Sequence, residues 1–334
     1  MNTYFNFSLP KGYDQFYRRL RETRLDAAGL IFLAPLQSIA KRTAITGSAS
    51  WLDILILAPG IHTQQSAEEL NDGEYPATAA LTSGYVFRVE NQATARWLQT
   101  IGKPGHLTRV AVLAKKGKTF PPVIYTGSLS SFLYLLGPMA SLMVTVDAIL
   151  LGDWWALVVL AMLTFARFCN VLVIRRRSVL GWKGAKEPGV DGDLLILGSQ
   201  DKWIRMGGSV DDLKAVTSGC WLRDKTDFED LIVNFATLLV YLAAALVVNV
   251  STAGHLSILC SLFFEAAVLE LSNLTAEHFQ MFGRVMRVTR KPVAYRRRTD
   301  LVKELIKETG RDDWAIGLGM ISKSAEEGGR PAVL

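Results

Sequence analysis

Residues 129–151 read LSSFLYLLGPMASLMVTVDAILL, 23 mostly apolar residues in one run. An α-helix of that length covers the ~30 Å hydrocarbon core of a bilayer. Gly152 and Asp153 then turn the chain, Trp154–Ile174 supplies a second apolar run, and Arg175, Arg176 and Arg177 end it. Residues 125–177 therefore read as a transmembrane hairpin that returns to its starting side. A second hairpin over residues 231–274 repeats the outline. Leu231–Val250 crosses, Ser251–Gly254 turns, and His255–Leu274 returns in spite of Glu265 and Glu270. The fold class expected is an α-helical integral membrane protein with four transmembrane helices as two hairpins and a cytoplasmic α+β portion.

Composition agrees. Of the 334 residues, 50% are hydrophobic and 20% charged, the mixture of a chain with both membrane and aqueous parts. The net charge of +6 suits nucleic acid or lipid, but the positive residues cluster beside the apolar runs, which favours the lipid bilayer as partner and argues against nucleic acid. Lys115, Lys116 and Lys118 precede the first span, and Arg284, Arg287, Arg290, Lys291, Arg296, Arg297 and Arg298 follow the fourth, whereas neither turn contains Lys or Arg. The positive-inside rule then puts both termini and the middle segment in the cytoplasm, and the membrane expected is the endoplasmic reticulum or another endomembrane. No apolar stretch with a small-residue cleavage site opens the chain, so no cleaved signal peptide is expected. On this topology none of the sequons Asn6-Phe-Ser, Asn249-Val-Ser and Asn273-Leu-Thr is expected to be modified. Cys169, Cys220 and Cys260 are isolated and support neither a disulfide framework nor a zinc site.

Residues 1–124 read as a cytoplasmic or membrane-surface α+β region. Tyr13–Ala27 suggests a helix lying on the surface. Leu30–Leu36 and Trp51–Leu57 are too brief to cross a bilayer as helices, and read as strands or buried core in preference to a re-entrant pair. Ala80–Val89, Leu107–Ala114 and Pro122–Tyr125 are strand-like, and Asn91–Thr100 helical. Within residues 178–230, Leu194–Leu197 and Trp203–Met206 form a hairpin across a turn of about five residues. Ser209 caps a short helix with Asp211 and Asp212 in its first turn and Gly219 near its end. Such a hairpin needs another surface, which the lobe before residue 124 should provide. Residues 275–334 read as basic juxtamembrane helices and tail. Thr275–Arg290 is expected to lie along the headgroups with Phe279, Phe282, Val285 and Met286 inward, and Ala294–Thr309 to end at Gly310.

The strings GWKGAKEPGVDGDLLIL, SQDKWIRM, VDDLKAVTSG, EHFQMFGRVMRVTRKPVAY and ETGRDDWAIGLGMI resemble a family of multi-pass membrane proteins from filamentous fungi. The likeness covers roughly residues 105–325. It implies a place in specialised metabolism, among whose genes some members are encoded, and carries over no catalytic residues.

Ionisable groups inside spans are costly, ~2.5–3.5 kcal/mol each at a helix centre, so each one invites a reason. Arg167 in the second span stands at a depth similar to Glu265 and Glu270 in the fourth, which makes an Arg–Glu pair feasible, with Asn234 and Thr164 completing a network. Such a pair fixes packing, or it forms a polar site with Glu265, Arg167 and Glu270 as the catalytic candidates. Asp147 is close enough to its helix end to reach the headgroups. The Arg175–Arg177 block and Arg284, Arg287, Arg290 and Arg296–Arg298 are the lipid-interface cations. His62, His106, His255 and His278 show no metal-ligand spacing, and no GxSxG elbow occurs. Asp211-Asp212 and Asp312-Asp313 lack the third acid of diphosphate–metal enzymes and read as helix N-terminal charges. No metal and no cofactor is expected. Two functions remain: an accessory or biosynthetic factor acting on a lipophilic metabolite, or a membrane scaffold that binds a partner such as a membrane-associated biosynthetic enzyme. Four spans are few for a monomeric transporter, so transport would require a homo-oligomer.

Overall fold

The computed structural model describes residues 29–65, 70–114 and 126–321. The expected helix over Tyr13–Ala27, the strand over Pro122–Tyr125 and the Lys115–Lys118 cluster lie outside the described residues. Two short helices, α1 (Gly29–Phe32) and α2 (Ser38–Thr46), come first. They are followed by β1 (Ala77–Ala80), β2 (Val86–Arg88), α3 (Gln92–Ile101) and β3 (His106–Ala114). The long helices α4 (Ser128–Leu151) and α5 (Trp154–Arg177) precede β4 (Asp191–Gly198), β5 (Lys202–Ser209) and α6 (Val210–Thr217). Next come α7 (Asp227–Leu246) and α8 (Thr252–Leu274). The chain continues through β6 (His278–Met281), β7 (Arg284–Val288), β8 (Val293–Ala294), α9 (Arg298–Thr309) and α10 (Asp313–Gly317).

Four of these helices, α4, α5, α7 and α8, are long and apolar enough to cross a membrane. Asp153 caps α5 through the Ala156 amide, and a Thr226–Glu229 capping box starts α7. The helices that pack most closely are not those joined by a turn: α4 lies against α8, and α5 against α7. The space between the two pairs is filled by residues 29–65. These residues were expected in the outer lobe, and their apolar runs as strands or buried core in preference to a re-entrant pair. Instead Leu30–Leu36 begins as α1, and Trp51–Leu55 is a 3₁₀ turn closed by a capping box between Ser50 and Asp53. Phe32, Ile56, Leu57, Ala58 and Ile61 join one apolar core with Leu160 and Leu163 of α5 and Val240 of α7. The helices bury Phe32, Ile56 and Leu57 of these runs, while Leu30, Leu36, Trp51 and Leu52 stay exposed.

The remaining elements form one eight-stranded sheet among the described residues, in the order β2-β1-β4-β5-β3-β7-β6, with β8 also on β3. The β4–β5 hairpin sits in its middle, antiparallel to β1 and parallel to β3. Leu195, Trp203, Ile204 and Met206 are all buried, as the hairpin's need for a second surface requires. Segments 70–114, 191–209 and 278–294, distant in sequence, thus make a single layer. On one face α2, α3, α6, Trp221 and the last turns of α5 (Val171, Ile174) share its core; on the other lie α9 and α10. The sheet therefore caps the end of the bundle where α5 finishes and α7 starts.

The interfacial helix expected over Thr275–Arg290 is a hairpin, β6–β7. Phe282 and Gly283 both have positive φ (46° and 74°), the conformation of a tight hairpin turn, and Phe279 faces Met286 across it with both fully buried. Alternation with period two, not helical spacing, buries this stretch. Other local signals hold. Ser209 caps α6 through the Asp212 amide, Gly310 closes α9 at φ 68°, and Asp313 sits in the first turn of α10.

Candidate functional site

The polar residues of the bundle converge where residues 38–65 meet α4, α5 and α8. Arg42 reaches from α2 to the first turn of α4 and the last of α8, donating to Ser130 at 3.0 Å, Ser272 at 3.1 Å and Thr126 at 3.3 Å. Its guanidinium also lies over the Tyr134 ring, 4.7 Å from the centroid. The Tyr134 hydroxyl donates to Asp53 Oδ1, while Asp53 Oδ2 accepts from its own cap amide, Ser50, at 2.8 Å. Arg167 of α5 donates to the Asp53 carbonyl at 2.8 Å and to Gln64 Oε1. Glu265 of α8 accepts from the hydroxyls of Ser141 at 2.7 Å and Ser261 at 2.9 Å, and from the Leu57 amide at 2.5 Å.

Arg42, Asp53, Arg167 and Glu265 are each no more than 3% exposed. Two cations and two carboxylates balance, so the cluster carries no net formal charge. Buried ions are tolerated under such balance when most of their hydrogen-bonding groups are engaged; Arg42 Nε is buried here without a partner. The irregular backbone at Leu57 is held by the same rule, its amide meeting a carboxylate.

Of the expected site residues, Arg167 and Glu265 belong to this cluster, but they form no direct ion pair: each is committed to residues 53–64. The wedge comes between them because α5 packs on α7 and α8 on α4. Glu270 is half-exposed and pairs with Lys41 at 3.0 Å. Asn234 is exposed and donates to Asp230, and Thr164 is partly exposed. Asp147 is half-buried and accepts from Ser257 at 2.5 Å. Several expected lipid-interface cations are engaged by the protein. Arg177 is buried and donates to the Arg223 carbonyl and Gln65, both at 2.8 Å; Arg176 lies 3.5 Å from Glu229. Arg175 donates to the Ala49 carbonyl at 2.9 Å and lies over Trp51; Arg284 bonds Asp212 at 2.8 Å, and Arg298 bonds Asp201. Arg287, Arg290, Arg296 and Arg297 are exposed. Sequence reasoning missed Arg42, Asp53, Gln64, Tyr134 and Ser141. The one available signal was Asp53, a lone charge in the apolar run WLDILIL.

Comparison with protein-family models, with curated proteins and with solved structures finds no match. The chemistry is therefore read from the cluster alone. Its hydroxyls and amides point at carboxylates and its guanidiniums at carbonyls, hydroxyls and an amide oxygen, which is the pattern of polar contacts that fix helices together.

Proposed function

We propose that this chain is a multi-pass endomembrane protein whose bundle carries a cytoplasmic sheet platform for enzymes that handle a lipophilic small molecule. It acts as an accessory factor and not as the catalyst. The observation that carries this reading is the engagement of the buried ions: Asp53 and Glu265, the two carboxylates, are both bonded to the wedge and to helix hydroxyls. A working acid or base must face the proton it transfers. The four long apolar helices and the concentration of Arg at the sheet end support the membrane and cytoplasmic parts of the reading. The resemblance to fungal multi-pass proteins supports the metabolic part.

The test is deletion of the gene with metabolite profiling, followed by complementation with Glu265→Gln. Deletion should lower one lipophilic product. The variant should lower protein level and product together, leaving product per molecule of protein unchanged. A wild-type level of E265Q protein without product would make Glu265 a catalyst and overturn the reading, as would an unchanged profile in the deletion strain.

A further inference from the structure

From Gly283 to Thr299 the chain reads GRVMRVTRKPVAYRRRT, seven cations and no acid in 17 residues. Arg284 and Arg298 are engaged by Asp212 and Asp201. Arg287, Arg290, Lys291, Arg296 and Arg297 are exposed and make no ion pair among the described residues. Five like charges on so short a stretch repel one another, which costs stability unless an acidic partner offsets it.

The backbone beneath these charges is open as well. β6 covers β7 only as far as Arg287, which lies opposite His278, and β8 pairs with β3 alone. The Thr289 amide donates to the Arg109 carbonyl at 2.9 Å and the Tyr295 amide to the Gly105 carbonyl at 3.0 Å. Alternation along an antiparallel ladder then turns the N–H and C=O of Val288 and Ala294 outward, where no strand of the described residues lies. Between them the register slips: Val110 faces Val288, but Leu107 faces Val293. Two residues are therefore extra, and the chain bulges at Arg290, Lys291 and Pro292. Pro292 has no N–H to offer, so backbone pairing is confined to Val288 and Ala294. Measured along β3 from Val110 to His106, these two stand about 13 Å apart, a span of four or five extended residues.

A bulge, a lysine and a proline keep an edge from pairing with a neutral strand. A second copy of this edge would set arginine against arginine. Phospholipid headgroups would meet the cations but carry no alternating donors and acceptors to match the outward backbone groups.

We propose that the β7–β8 edge is the docking site for an extended acidic segment of a partner protein, with its carboxylates on Arg287, Arg290, Lys291, Arg296 and Arg297 and its backbone on Val288 and Ala294. That the partner is one of the enzymes rests on the platform reading above. The recognition stands apart from it, since binding to the purified chain is measured without any metabolite.

The experiment titrates the full chain, in phosphatidylcholine nanodiscs at physiological salt, into a fluorescein-labelled peptide of alternating Glu and Val, and reads anisotropy. The peptide should bind, and a Lys–Val peptide should not. R290E/K291E and R296E/R297E, with unchanged melting temperatures, should each weaken binding about tenfold, while K186E, a reversal elsewhere on the surface, should leave it as it was. On binding, the isotope-edited infrared carbonyl band of a ¹³C-labelled peptide should move from the disordered to the strand position. No binding of the Glu–Val peptide, equal binding of the Lys–Val peptide, or unchanged binding by both double variants would overturn the site. A bound peptide whose carbonyl band stays at the disordered position would overturn the strand pairing. Binding that disappears when phosphatidylserine is added to the discs would give the edge to anionic headgroups instead.

Discussion

Asp53 serves two purposes at once, and its neighbours show which matters more. Its Oδ2 closes the 3₁₀ turn through the Ser50 amide, while Oδ1 takes the Tyr134 hydroxyl beside Arg42 and its carbonyl takes Arg167. Asp53→Asn keeps the shape but leaves two buried cations with one carboxylate, so a loss of ~3–5 kcal/mol is expected. Tyr134→Phe removes one hydrogen bond to a charged group and should lose less, ~1.5–3 kcal/mol. Thermal unfolding in detergent should rank the two in that order. Gly29 is a second residue on which much depends. Its Cβ would overlap the Ala244 carbonyl, a backbone atom that cannot swing away, so Gly29→Ala should lower stability by ~1–3 kcal/mol although alanine is the better helix former. An unchanged melting temperature in G29A would mean that α1 is not seated on α7.

At the scale of elements, the sheet is attached by side chains from separate segments. Asp212, in the first turn of α6, accepts from Arg284 of β7 at 2.8 Å and from Ser209 at 2.8 Å. Burial would raise its carboxyl, but those bonds outweigh it and hold Asp212 below its ordinary value. A depressed folded-state pKa adds stability that is present above the unfolded value, about 3.9, and is lost as pH falls through the folded one. Arg284→Gln should therefore lower the melting temperature modestly at pH 7, by the ~0.5–1 kcal/mol of a partly exposed pair, and the difference should close below about pH 4. A difference that persists in acid would assign the effect to packing of the arginine stem. Helix and strand boundaries were legible where the signal was local, as at the Ser209 and Gly310 caps. The β6–β7 hairpin was not, because Phe279, Phe282, Val285 and Met286 also fit a helical stripe and only pairing with β3 decides between the two periods.

For the whole molecule, the sheet and the bundle share walls. Met206 is fully buried at the centre of the sheet, in the core that also contains Val171 and Ile174 of α5. Met206→Asp buries an unpaired carboxylate there and is expected to exceed ~4 kcal/mol. Because the last turns of α5 belong to that core, protease resistance should fall in the bundle as well as in the sheet. Intact helices beside a digested sheet would show the two to be independent units.

The sequence by itself determined the four long apolar helices, their turns and flanking arginines, the β4–β5 hairpin and the Ser209 and Gly310 caps, since length, charge and turn chemistry are properties of contiguous residues. Only the tertiary structure decided that α4 pairs with α8, that residues 29–65 wedge into the bundle, and that Arg167 and Glu265 meet that wedge instead of each other. Those outcomes depend on which surfaces are left to bury after the helices form. An apolar run such as LIFLAPL is equally at home in a strand, a core or a bilayer until its neighbours are in place.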